Sequence, residues 1–168
     1  MATEFELYLI RHGLAGEHGS YANDDERPLT EEGKQKTKQV ANRLMELGLQ
    51  FDLILTSPLV RARQTADILL AVGLSKHLEE FDALADGNLE SWLTWLKSWQ
   101  PGSYRRLALV GHEPSLSQWA KSLVVGAAIG SLQLKKAGVI GLLLPDQIAP
   151  VGHSTLFWLT PPRFLLTN

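Results

Sequence analysis

The residues Leu7-Tyr8-Leu9-Ile10 form an unbroken apolar run that stops abruptly on a cation, an imidazole and a glycine, Arg11-His12-Gly13. A strand with one wet face alternates apolar and polar side chains, whereas an unbroken run suits a strand covered on both faces. Such strands occur mostly in parallel sheets flanked by helices. The design recurs at Leu107-Ala108-Leu109-Val110, followed by Gly111-His112-Glu113-Pro114. Ligands of open α/β sheets bind beyond the carboxyl ends of the strands, so Arg11, His12 and His112 stand where reactive groups would be delivered. Gly13 lacks the side chain that would obstruct an oxyanion approaching the backbone. Arg11, His12 and Gly13 therefore read as a candidate phosphate site.

The whole-chain numbers narrow the function classes. A length of 168 residues suits a single domain over residues 1–168 with a sizeable core. The formal net charge of −2 argues against a nucleic-acid partner held by bulk attraction, so any anion site must be local. The chain has no cysteine, which removes disulfides, thiolate metal sites and cysteine nucleophiles from consideration. Glu4 and Glu6 occupy the stretch where a signal peptide would be basic, and no segment is long and apolar enough to span a bilayer. The expectation is a soluble cytoplasmic protein with no membrane partner.

Along the chain, Leu14 to Leu29 lacks periodicity and reads as a surface loop. Thr30 is a good N-cap, with Glu31 and Glu32 in the first turn of a helix that ends near Leu47 before Gly48. Leu53-Ile54-Leu55 predicts a second buried strand ended by Thr56-Ser57-Pro58. A helix opening at Pro58 or Leu59 then buries Ala62, Ala66, Leu69 and Leu70 and stops at Gly73. Arg61 lies in its first turn, where the helix dipole disfavours a cation unless an anion compensates. Arg63 points about 200° round the helix and reads as solvated. His77 to Phe81 is a short edge strand, and Trp92, Trp95 and Trp99 share a face of a helix beginning near Leu89, as a core or interface stripe. Gln100 to Tyr104 reads as a turn. Pro114 opens a helix with Leu116, Trp119, Ala120, Leu123 and Val124 on its apolar face. Gly126 to Gly130 lacks the Lys-Ser/Thr ending of a phosphate-binding loop. Val139 to Leu144 and Ser154 to Leu159 are further strands, and the tail beyond Pro161 is expected to pack loosely.

Strands alternating with helices predict an α/β three-layer sandwich, a mostly parallel sheet with helices on both faces. The ends of the first, second and fourth strands can then share one rim, bringing Arg11, His12, Arg61 and His112 together. Two guanidinium groups and two imidazoles around one pocket describe a phosphoryl site with a histidine available as nucleophile.

Taken together, Leu9-Ile10-Arg11-His12-Gly13, Arg27-Pro28-Leu29-Thr30-Glu31-Glu32-Gly33, Ser57-Pro58-Leu59-Val60-Arg61-Ala62-Arg63-Gln64-Thr65-Ala66 and Val110-Gly111-His112-Glu113-Pro114 resemble the histidine phosphatase superfamily, which includes the phosphoglycerate mutases. The short chain and the Arg-Pro-Leu-Thr segment are most similar to its SixA-type phosphohistidine phosphatases. The resemblance implies a phosphoglycerate mutase-like fold in which His12 is phosphorylated and then hydrolysed. It also implies that Arg11 and Arg61 grip the phosphoryl oxygens, Arg27 adds a contact and His112 completes the pocket, with no metal or other cofactor. The implied partner is a phosphohistidine-bearing protein such as a histidine phosphotransfer domain.

Superfamily members acting on monoesters usually carry an acid after the third strand to protonate the leaving alkoxide. The only candidates in Glu79-Glu80-Phe81-Asp82-Ala83-Leu84-Ala85-Asp86-Gly87 are carboxylates such as Glu80 and Asp86, and none aligns with that acid. Imidazole is a better leaving group than alkoxide and can depart without one, which favours phosphohistidine. A small-metabolite phosphomonoesterase with Asp86 or Glu80 as acid is the first alternative. A non-catalytic phosphoprotein-binding module is the second, although a binder needs the arginines and not the nucleophile. His18, His77 and His153 read as exposed or structural. A metal site built from His12, His18 and His112 is disfavoured by the neighbouring arginines.

Overall fold

The computed structural model of the chain describes residues 5–99 and 105–166; the turn expected over Gln100 to Tyr104 lies outside them. The strands are β1 (Phe5–Arg11), β2 (Leu53–Thr56), β3 (Leu78–Glu80), β4 (Arg105–Gly111), β5 (Val139–Leu144) and β6 (Thr155–Thr160). The helices are α1 (Glu31–Glu46), α2 (Val60–Val72), α3 (Ala83–Asp86), α4 (Leu89–Ser98) and α5 (Ser115–Val125). All six strands join one sheet in the order β3-β2-β4-β1-β5-β6. The pairs β2–β3, β2–β4 and β1–β4 are parallel, while β5 and β6 add an antiparallel flank beside β1.

Strand alternation sorts the core into two layers. Leu7, Leu9, Leu55, Leu107 and Leu109 face one side with Trp92 of α4 and Leu116, Trp119 and Leu123 of α5. Tyr8, Ile10, Ile54, Ala108 and Val110 face the other, against Val40 and Leu44 of α1 and Ala62, Ala66 and Leu69 of α2. Both faces of β1 and β4 are thus covered, as the unbroken apolar runs require. Trp92 is wholly buried, with Trp95 and Trp99 packed at the edge of its layer, so the tryptophan stripe belongs to the core. Truncating a side chain as enclosed as Leu9 or Leu109 to Ala would cost about 2–5 kcal/mol.

One expectation for the periphery is corrected. The tail beyond Pro161 does not pack loosely: Pro162–Phe164 form a 3-10 turn, and Leu165 is buried in the α1–α2 layer, only 4% exposed. Its side chain finds apolar cover there, and that burial fixes the turn. Among the described residues, no helix is long and apolar enough to cross a membrane.

Candidate active site

Register sets the site. Arg11 stands opposite Gly111 and Ile10 opposite Val110, while Thr56 pairs with Val110, so β1, β4 and β2 end at one rim. The His12 amide donates to the Gly111 carbonyl (3.0 Å) and the Ser57 amide to the Val110 carbonyl (3.0 Å), extending the parallel ladders by one residue. Arg61 enters from the first turn of α2, whose N-cap Leu59 offers no side-chain acceptor and whose first turn holds no acid. His12, Arg61, Arg11 and His112 therefore converge as the sequence predicts, with the two imidazole centroids 5.2 Å apart.

The hydrogen bonds fix the chemistry of each ring. His12 is 5% exposed, and its Nδ1 lies 2.7 Å from the carbonyl oxygen of Gly13. A carbonyl only accepts, so Nδ1 carries the proton and the lone pair is on Nε2. Burial, opposed by that hydrogen bond and reinforced by His112, Arg61 and Arg11, pushes His12 down to about 3. The ring is neutral at physiological pH and its Nε2 is nucleophilic.

His112 is oriented differently. Its Nε2 lies 2.7 Å from Ser57 Oγ, and that hydroxyl accepts from the Leu59 amide at 3.2 Å. That contact fixes the orientation of the ring and turns its Nδ1 away from Ser57. Burial and the field of Arg61, Arg27 and Arg11 push His112 down to about 4. His112 Nδ1, Arg11 Nε and Arg61 Nε are buried without a protein partner. Arg11 Nη1 is braced on the Leu134 carbonyl at 3.0 Å.

The long loop after β1 folds back over this cluster. Ala15 bridges Leu29, and a 3-10 turn at Asp24–Glu26 brings Asp24 to the arginines. Arg61 Nη1 donates to the Asp24 carbonyl (2.9 Å), and Arg61 Nη2 pairs with the Asp24 carboxylate at 3.3 Å. Arg27 Nε donates to that carboxylate at 2.9 Å and Arg27 Nη1 to the Gly16 carbonyl at 3.0 Å, which places Arg27 in the cluster as expected. Hydrogen bonds from Arg27 and then His18 hold the Asp24 carboxyl below the usual carboxylate range, so it is ionised and no proton donor. Asp24 has no counterpart in the sequence reading. Its one sequence signal is the spacing to Arg27, three residues on.

Two other expectations change. Gly13 does not offer its amide to an oxyanion, because that N–H donates to Thr65 Oγ1 at 3.0 Å. The glycine is needed instead for close packing, since a Cβ there would lie 2.3 Å from Thr37 Oγ1. Neither proposed acid joins the cluster. Glu80 accepts from Arg63 Nη1 at 2.8 Å, and Glu80 and Asp86 border a separate depression lined by Phe81, Asp82, Ala83 and Ser91. Arg63, paired with Asp67 and Glu80, stays at the surface, as do His77 and His153. Among the described residues, no group of three His, Asp or Glu side chains could hold a metal ion.

A neutral imidazole with a free Nε2, ringed by guanidinium groups, can attack a phosphoryl group and stabilise its equatorial oxygens. Comparison with known proteins agrees with that chemistry. The family model of the histidine phosphatase superfamily (branch 1) matches residues 7–108. An uncharacterized protein of Picosynechococcus sp. (strain ATCC 27264 / PCC 7002 / PR-6) is 48% identical over 163 residues, which cover 96% of this chain and 99% of that one. The structure of the protein histidine phosphatase SixA complexed with tungstate superposes with a TM-score of 0.81 at 22% identity, over 96% of this chain and 99% of that one. A phosphoserine phosphatase from Entamoeba histolytica, in complex with phosphoserine, has the same fold with a TM-score of 0.70 at 17% identity, over 96% of this chain and 100% of that one. With the family model spanning β1, its loop and Arg61, and a relative alignable along almost its whole length, the chain belongs to the histidine phosphatase superfamily.

Proposed function

We propose that this protein is a cytoplasmic phosphohistidine phosphatase that works through phospho-His12. His12 Nε2 attacks phosphorus in line while Arg11, Arg61 and Arg27 hold the equatorial oxygens and His112 Nδ1–H donates to them. The P–N bond to the substrate imidazole breaks and its electron pair stays on the departing nitrogen. That ring leaves as neutral imidazole once solvent has protonated its other nitrogen. Nδ1 of His12 keeps its proton on the Gly13 carbonyl, so phospho-His12 also carries a neutral imidazole as its next leaving group. Water attacks phosphorus, gives up a proton to solvent and releases orthophosphate, restoring the free Nε2. The cycle draws only on the chain's own residues and water.

The observation that carries the choice of substrate is the state of the carboxylates. Asp24, at the arginines, is held ionised, and Glu80 is tied to Arg63 outside the cluster. An alkoxide needs a proton donor to leave, whereas imidazole does not, so this site suits a phosphoramidate better than a monoester. The fold shared with a protein histidine phosphatase supports the same reading, with a histidine phosphotransfer domain as the proposed partner type.

The test is the ratio of kcat/KM for a phosphohistidine peptide to that for a panel of sugar-phosphate and phosphoserine monoesters, in EDTA, with His12→Ala as blank. A ratio far above one supports the proposal. Faster turnover of monoesters makes the protein a metabolite phosphatase with an acid elsewhere. Failure to trap labelled phosphate on the wild type leaves a binding module.

A further inference from the structure

Arg11, a member of the cluster, also lines a cavity of about 760 Å³. Its lining includes Lys36, Lys135, Lys136 and Arg163 and no carboxylate. Of these, Lys36 is paired with Glu32 at 3.4 Å, whereas Lys135, Lys136 and Arg163 have no acidic partner among the described residues. The chain as a whole is slightly acidic, at −2, so this concentration of cations is local. Partial desolvation and repulsion from Arg11 and Arg27 lower the Lys136 pKa.

A single phosphoryl group already has Arg11, Arg61 and Arg27. The additional cations call for additional negative charge on whatever carries that group. Leu14, Ala137, Leu159, Pro161 and Pro162 add apolar side chains to the same lining. Apolar surface continues outside it, where Phe164 is 70% exposed with the Arg163 guanidinium 4.7 Å above its ring. A lining that mixes cations with apolar side chains matches a chain segment that mixes acidic and apolar side chains.

We propose that the cleft between Gln133–Ala137 and the Pro161–Arg163 turn is a docking groove for an acidic, partly apolar polypeptide segment bordering the phosphorylated histidine of a substrate protein. This rests on the phosphohistidine reading and adds what selects the substrate: charge beside the phosphoryl group, recognised outside the catalytic cluster.

Three substrates test it with the full chain: a phosphohistidine peptide flanked by Asp, Glu and Leu, the same peptide with Asn and Gln in place of the acids, and phosphoimidazole. The wild type should favour the acidic peptide by about tenfold in kcat/KM, mostly through KM, and lose that preference as salt rises. K135Q/R163Q should cut the preference to near one, and K135E/R163E should invert it. Both variants should turn over phosphoimidazole within about twofold of the wild type, which also shows that they fold. Equal use of the two peptides by the wild type, or an unchanged preference in the variants, overturns the groove while leaving the phosphatase reading intact. Hydrolysis of monoesters with none of the three phosphoramidates cleaved overturns that reading, and the groove with it.

Discussion

The ends of β1 and β4 share a design and differ in how each holds its histidine. Both strands run apolar to the same rim, and both deliver a neutral imidazole beside the arginines. On β1 the ring is anchored by the main chain, through the Gly13 carbonyl. On β4 it is anchored by a side chain, the Ser57 hydroxyl arriving from β2. A main-chain anchor cannot be removed by substitution, so the tautomer of His12 is secured. The orientation of His112 depends on one replaceable oxygen. His12 is thus the fixed partner and His112 the adjustable one.

The largest break in this pairing is His12→Ala, which should abolish the phosphoenzyme and lower turnover by about 10⁴-fold or more, read by trapping of labelled phosphate. Arg61→Ala removes a grip on the phosphoryl group and the anchor of Asp24, and should cost about 10²–10³ in kcat with His12 still present. Ser57→Ala sharpens the comparison. It should slow turnover by about tenfold, the worth of one lost hydrogen bond, and shift the ring nitrogens of His112 in NMR while leaving those of His12 unmoved.

The smallest effect is on stability against pH. Both histidines are neutral in the fold down to about 4 for His112 and about 3 for His12, whereas unfolded histidine takes up a proton near 6.5. Above that value both states are neutral and the pair contributes nothing. Below it the unfolded chain binds more protons, so stability falls as pH drops from about 6.5 towards 4. His12→Gln should flatten that decline in urea titrations, and an unchanged slope would assign it to other groups.

What the sequence made legible follows from what is local. The unbroken runs at Leu7 and Leu107 announce buried parallel strands because period and polarity are read within a few residues. Arg61 stands out because a cation in a first turn opposes the helix dipole. Arg27 was legible through its motif, which sits on the loop that carries it back to the cluster. Asp24 was not, since its contact with Arg61 spans 37 positions and arises from a loop without periodicity. The brace of Arg11 on Leu134 spans 123 positions and depends on where β5 begins. Gly13 was legible as a close approach, but what approaches is Thr37 of α1 and no ligand. The docked tail escaped because Leu165 and Leu166 are too few to show a period.

The short connection into β5 has a consequence beyond geometry. Ala137, held at a φ of 59° that costs a non-glycine residue about 1–2 kcal/mol, donates its amide to the carbonyls of Arg11 and His12 at 3.1 and 3.2 Å. Two residues earlier the same connection carries Lys135, and Leu134 braces Arg11. The proposed cleft and the main chain behind His12 therefore share one connection. Two ligands that share one deformable element must affect each other equally. If an acidic peptide in that cleft alters the affinity of the arginine cluster for an oxyanion, the oxyanion alters the affinity for the peptide by the same factor.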